Sequence, residues 1–165
     1  MKTDKLYLVG FMGAGKTTVA RALGRRLSWR VEDLDELIEA RERCTVADLF
    51  ARRGEPYFRA VEREELRRLL PLDHAVVATG GGTYADADNR VLMNANGLSV
   101  WLDLPFTLAL SRVPPDGRRP LAADREQFEA LYRSRRLAYQ DAHFRLDASS
   151  PVEELVERLL DWLEY

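Results

Sequence analysis

Gly10-Phe11-Met12-Gly13-Ala14-Gly15-Lys16-Thr17 is the stretch whose residue types and spacing most directly imply chemistry. A glycine, four variable residues and then Gly-Lys-Thr form the pattern of a phosphate-binding loop. Its glycines let the chain curl until successive backbone N–H groups point inward at an anion. A helix opening at the end of the loop adds its positive N-terminal pole. Lys16 can then reach terminal phosphates, and the Thr17 hydroxyl can ligate Mg²⁺. With glycine at ~7% of residues, a chance match in a chain this long is roughly one in a few hundred. Positive charge elsewhere is almost wholly arginine, and after Lys5 the only lysine is Lys16. A compact ammonium retained in such a turn points to a chemical requirement.

Other groups could complete a site around that loop. Asp33 and Asp35 flank Leu34 where a second strand should end. In extended backbone two such carboxylates face the same side, one toward a metal and one toward an acceptor hydroxyl. Equally, both could simply cap a helix starting near Leu34. Gly80-Gly81-Gly82 follows a third apolar run, and three glycines make most sense where a ligand approaches the backbone closely. Arginine grips carboxylates in bidentate fashion. Among the many arginines, Arg59, Arg112 and Arg135 are not singled out by position, whereas Arg119 sits in the Pro/Gly-rich segment 113–120, long enough to act as a lid. His74, His143 and Cys44 lie on no recognisable metal or catalytic spacing.

The elements that must carry these residues alternate. Short apolar runs at 6–9, 29–32, 75–78, 98–102 and 144–147 read as strands. Helical spacing is expected over 17–27, 34–42, 46–53, 56–70, 86–94, 105–112, 125–142 and 152–163. Such alternation predicts a parallel α/β sheet covered by helices on both faces, with ligands at the carboxyl ends of its strands. At 165 residues and net charge −2, the chain fits one domain without electrostatic bias toward nucleic acid or membrane. One cysteine excludes an internal disulfide and suits a reduced thiol in the cytoplasm. Neither a secretory leader nor a membrane-length apolar run is visible.

Taken in order, these landmarks resemble shikimate kinase along nearly the whole chain. They are the loop through Thr18, Asp33-Leu34-Asp35, Val46-Ala47-Asp48-Leu49-Phe50, Gly54-Glu55 through Phe58-Arg59 to Glu62, Gly80-Gly81-Gly82, Arg119-Pro120-Leu121 and the Arg135 to Tyr139 segment. The resemblance implies a P-loop NTPase three-layer sandwich with a five-stranded parallel sheet in the order 2-3-1-4-5. It implies one kinase domain over 1–165, with a lid at about 113–123 and an acceptor-binding region at about 34–62. ATP would contact Gly13, Ala14, Gly15, Lys16, Thr17, Thr18, Arg112 and Arg119. Mg²⁺ would be held by Thr17 directly and by Asp33 through water. Shikimate would meet Asp35, Arg59, Arg135 and the backbone of Gly80, Gly81 and Gly82, with Lys16, Asp35 and Arg119 the catalytic set. A monomer working in the cytoplasm on ATP and shikimate, without nucleic-acid or membrane partners, completes the expectation. Where the family has Arg-x-Pro-Leu-Tyr this chain reads Arg135-Arg136-Leu137-Ala138-Tyr139, so Arg133 and Arg136 compete with Arg135 for the carboxylate. A kinase for another small hydroxy or sugar acid, such as gluconate, and a non-catalytic ligand-sensing relative are the rival readings.

Overall fold

A computed structural model describes residues 3–112 and 125–163. Five strands form one parallel sheet in the order β2-β3-β1-β4-β5. The strands are β1 (Lys5–Val9), β2 (Arg30–Asp33), β3 (Ala75–Ala78), β4 (Leu98–Asp103) and β5 (Phe144–Asp147). All of β1, β3 and β4 is buried, because each lies inside the sheet with both faces covered. The flanking strands β2 and β5 are mostly half-exposed, and their sequences are correspondingly more polar.

Eight helices accompany them among the described residues. They are α1 (Lys16–Leu27), α2 (Leu34–Glu42), α3 (Val46–Arg53), α4 (Glu55–Leu69), α5 (Ala87–Asn96), α6 (Phe106–Ser111), α7 (Arg125–Tyr139) and α8 (Val152–Leu163). Local chemistry explains their limits. The Thr45 hydroxyl accepts from the Asp48 amide at 3.1 Å and starts α3. Gly54, at φ 81°, ends α3 and turns the chain directly into α4, which carries a proline in its first turn. Asp86 caps α5 in the same manner as Thr45, accepting from Asn89 at 3.0 Å.

The sheet order and the strand–helix alternation are those expected. Differences lie at ends. The expected helix over 125–142 stops at Tyr139, where Asp141 N–H and Ala142 N–H bond back to Ala138 and Tyr139 and close tight turns. Pro105 precedes α6 as its cap rather than lying inside it. Asp33 is both the last residue of β2 and the cap of α2. The expected lid, with Arg119, lies outside the described residues.

A second lysine is built into the fold itself. Lys5 is buried at the start of β1, and its ammonium donates to Leu69 O at 2.7 Å, Leu70 O at 2.7 Å and Asn96 Oδ1 at 2.9 Å. It thereby closes the C-terminal carbonyls of α4, the helix that carries Arg59. Burial lowers the Lys5 pKa, an effect opposed by Asp4 and Asp73. Lys5→Met removes three bonds at once and is expected to cost about 2–4 kcal/mol in urea unfolding. A loss under about 0.5 kcal/mol would contradict this role.

Candidate active site

The glycine-rich loop leaves β1 at the carboxyl edge of the sheet. Gly10 has φ 150°, and a side chain there would put its first carbon 2.6 Å from the Leu102 carbonyl oxygen. Only glycine lets the loop cross β4 this closely. Phe11 anchors the loop through edge contacts with Phe128 and Tyr132 of α7, at centroid distances of 5.2 and 5.1 Å. The Lys16 ammonium folds back over the loop and donates to Gly10 O at 2.6 Å and Phe11 O at 3.1 Å. Arg112, one residue beyond α6, donates to Gly13 O at 2.8 Å.

Thr17 faces Asp33, its hydroxyl 2.5 Å from Oδ2. The other oxygen of Asp33 accepts from the Glu36 amide at 3.0 Å. Asp33 therefore does both things the sequence allowed, capping α2 and facing the loop. Asp35 reaches the pocket differently from the extended geometry expected, because Leu34 already begins α2 and is buried in the core. Its Oδ1 is buried and lies 2.9 Å from the point where a Gly80 side chain would begin.

The triple glycine is where the charges gather. A methyl group on Gly82 would lie 2.5 Å from Arg59 Nη2 and 2.9 Å from Arg135 Nη2, and one on Gly81 would lie 3.1 Å from Arg135 Nη1. A carboxylate thus sits at the Gly80 end and two guanidiniums at the Gly82 end. All of them line one cavity of about 450 Å³ that extends to Thr17 and Asp33 at the loop and to Phe50 and Phe58 on the apolar side.

Two residues the sequence reading did not single out for a role hold this corner. Glu62, fully buried and one helical turn after Arg59, accepts from Arg59 Nη1 at 3.0 and 3.2 Å. The Thr83 hydroxyl donates to Glu62 Oε2 at 2.9 Å and accepts from Gly80 N–H at 3.0 Å. The Arg-x-x-Glu spacing on a helix was the available signal for Glu62. For Thr83 there was none.

The three competing arginines separate cleanly. Arg135 is 6% exposed and enters the cavity. Arg136 turns to Asp103 at 2.5 Å and stacks over Trp101. Arg133 pairs at the surface with Glu129 at 2.8 Å. Burial pulls the Arg135 pKa below its ordinary value and neighbouring Arg59 adds to the fall, against the opposing influence of Tyr139, Glu62 and Glu55. Such a cation is relieved by an anion delivered between the two guanidiniums. A second hollow, bounded by Asp103, Pro105, Tyr132, Arg136, Arg145 and Asp147, has its central carboxylate already engaged: Asp103 binds Arg136 and Arg145.

A phosphate-binding loop after β1 of a 2-3-1-4-5 parallel sheet, opening onto a cavity lined by Arg59, Arg135 and Asp35, defines a P-loop kinase. The fold alone is shared with deoxyadenosine kinase from M. mycoides, at TM-score 0.64 and 18% identity. The shikimate kinase family model matches residues 12–164, and the chain belongs to that family. It is 38% identical to a shikimate kinase of Sulfurihydrogenibium over 94% of this chain and 95% of the relative. It is similar to the shikimate kinase of Acinetobacter baumannii in complex with shikimate, at TM-score 0.92 and 33% identity over 98% and 93% of the two chains. The Aquifex aeolicus shikimate kinase structure gives TM-score 0.89 and 35% identity over 97% and 96%.

Because a methyl group on Gly82 strikes both guanidiniums, Gly82→Ala is expected to raise KM for shikimate about tenfold or more, with KM for ATP within about twofold. Steady-state ADP release checks this, and equal changes in both KM values would contradict it.

Proposed function

We propose that this chain transfers the γ-phosphoryl group of ATP to a hydroxyl of shikimate, giving shikimate 3-phosphate and ADP in aromatic amino-acid biosynthesis. The observation that carries the reading is the convergence of Arg59 and Arg135 at Gly82 and of Asp35 at Gly80, in a cavity continuous with the loop residue Thr17.

In this reading Arg59 and Arg135 grip the acceptor carboxylate through charge-assisted hydrogen bonds. The backbone of Gly80, Gly81 and Gly82 lets the ring lie close, and Asp35 orients the hydroxyl and can receive its proton. The hydroxyl oxygen forms a bond to the γ-phosphorus as the bond to the β,γ-bridging oxygen breaks, and ADP leaves. Gly13, Ala14, Gly15, Lys16, Thr17 and Thr18 cradle the phosphates, and Lys16 offsets charge developing on them. Arg112 serves the nucleotide's base. Arg119, in the segment 113–123 proposed as a lid, supplies a further cation to the transferring group.

Thr17 and Asp33 fit a Mg²⁺ site. Their oxygens face one another beside the loop, and among the described residues no three His, Cys, Asp or Glu gather to hold an ion by themselves. That donor set suits Mg²⁺, which keeps waters and shares its shell with phosphate oxygens. When bound, the ion supplies charge neutralisation at the phosphates.

The chain is proposed to act as a monomer and one domain over 1–165, with acceptor contacts concentrated in 34–62. Its proposed location is the cytoplasm; among the described residues no helix is long and apolar enough to cross a membrane.

With Mg²⁺ and ATP, shikimate is expected to stimulate ADP release strongly, while gluconate does not. Lys16→Ala is expected to lower kcat by about 10³-fold or more. Arg59→Ala is expected to raise KM for shikimate about 10²-fold while KM for ATP stays within about twofold. Turnover near wild type in Lys16→Ala, or no stimulation by shikimate in the wild type, would overturn the reading.

A further inference from the structure

Tyr139 lies at the end of α7, and nothing in the chemistry above uses it. It is 1% exposed, and its ring packs against Trp101 at a centroid distance of 5.8 Å. Its hydroxyl donates to the carbonyl oxygen of Gly81, a residue 58 positions away in the chain. Arg135 stands one helical turn earlier, so the same face of α7 delivers a guanidinium and a phenol to the same glycines.

We infer that Tyr139 is a positioning residue for acceptor recognition, acting on Gly81 rather than on the acceptor itself. The inference rests on the shikimate kinase reading of the pocket. Two physical consequences follow from the bond. Glycine leaves its backbone dihedrals weakly restrained, and a buried donor on the Gly81 oxygen fixes the plane of the Gly81–Gly82 peptide. Among the described residues no peptide is cis, so with its carbonyl directed to Tyr139 that plane turns the Gly82 N–H the opposite way.

The second consequence concerns competition. Arg135 Nη1 lies close beside Gly81. A Gly81 carbonyl released from Tyr139 is a part-buried acceptor next to two guanidiniums, and it would capture N–H donors that the acceptor carboxylate needs. Tyr139 occupies that oxygen and keeps the arginine fork open. Burial pushes the phenol pKa up despite the opposing influence of Arg135 and Arg59, so the hydroxyl keeps its proton as a donor across the working pH range. Position is secured because α7 is fastened elsewhere. Tyr132 OH donates to Leu104 O at 2.6 Å, and Arg136 binds Asp103 at 2.5 Å.

The test is Tyr139→Phe, which deletes only the hydroxyl, compared with Trp101→Phe, which thins the packing around the ring and leaves the bond. Thermal melting and ADP-release kinetics are measured for wild type and both variants, with shikimate and ATP varied in turn. The expected result for Tyr139→Phe is a rise of about tenfold in KM for shikimate, with KM for ATP within about twofold and kcat within about threefold. Trp101→Phe is expected to lower Tm with no selective change in KM for shikimate. An unchanged KM for shikimate in Tyr139→Phe, a parallel rise in both KM values, an unfolded variant, or the same selective rise in Trp101→Phe would overturn the inference. Failure of the underlying reading shows differently, as wild-type protein whose ADP release shikimate does not stimulate.

Discussion

Two guanidiniums held side by side at the edge of one cavity are the constraint around which this molecule is arranged. Arg135 is nearly inaccessible to water, and Arg59 is close enough to lower its pKa. Cations so placed repel one another and lose hydration, so folding must supply compensation. Glu62 supplies part of it, from a position one turn along α4. Thr83 steadies Glu62 and at the same time binds the Gly80 amide, so the counter-ion and the glycine turn are one hydrogen-bonded unit. What remains uncompensated favours an anion that arrives with the substrate.

The triple glycine is the geometric counterpart of that electrostatics. Any side chain at Gly82 would occupy space that the guanidiniums fill, and one at Gly80 would press on Asp35. Opposite charges are thus spread along three residues of bare backbone, cations at one end and a carboxylate at the other. A small ring with a carboxylate on one side and hydroxyls on the other has the complementary polarity. The nucleotide side is tied to this corner through α7. Phe128 and Tyr132 hold Phe11 of the loop, while Arg135 and Tyr139 on the same helix meet the glycines.

Much of this was legible in the residues. The loop declared itself through Gly10, Gly15, Lys16 and Thr17, and the buried strands through unbroken apolar runs that need no distant partner to be seen. The sheet order was reached through family resemblance, since alternation of strands and helices by itself leaves the order of neighbours open. Asp33 and Asp35 do line one cavity, but not by the backbone geometry expected of them. Their shared side does not come from extended backbone, since Asp33 closes β2 and Asp35 already belongs to α2. The choice among Arg133, Arg135 and Arg136 could not be made from spacing, because it depends on Asp103 of β4 drawing Arg136 away. The roles of Lys5, Thr83 and Tyr139 were invisible for the same reason. Each acts on a backbone group brought near by the fold, and no local pattern encodes such a partner.

The central claim, that the pocket selects its acceptor through a carboxylate bound between Arg59 and Arg135, is tested most directly by calorimetric binding of shikimate and of its methyl ester in the absence of nucleotide. The ester keeps the ring and the hydroxyls and removes only the negative charge. The ester is expected to bind about 100-fold more weakly or worse, because the charge-assisted hydrogen bonds from Arg59 and Arg135 to the carboxylate are lost. Equal affinities for acid and ester would contradict the account.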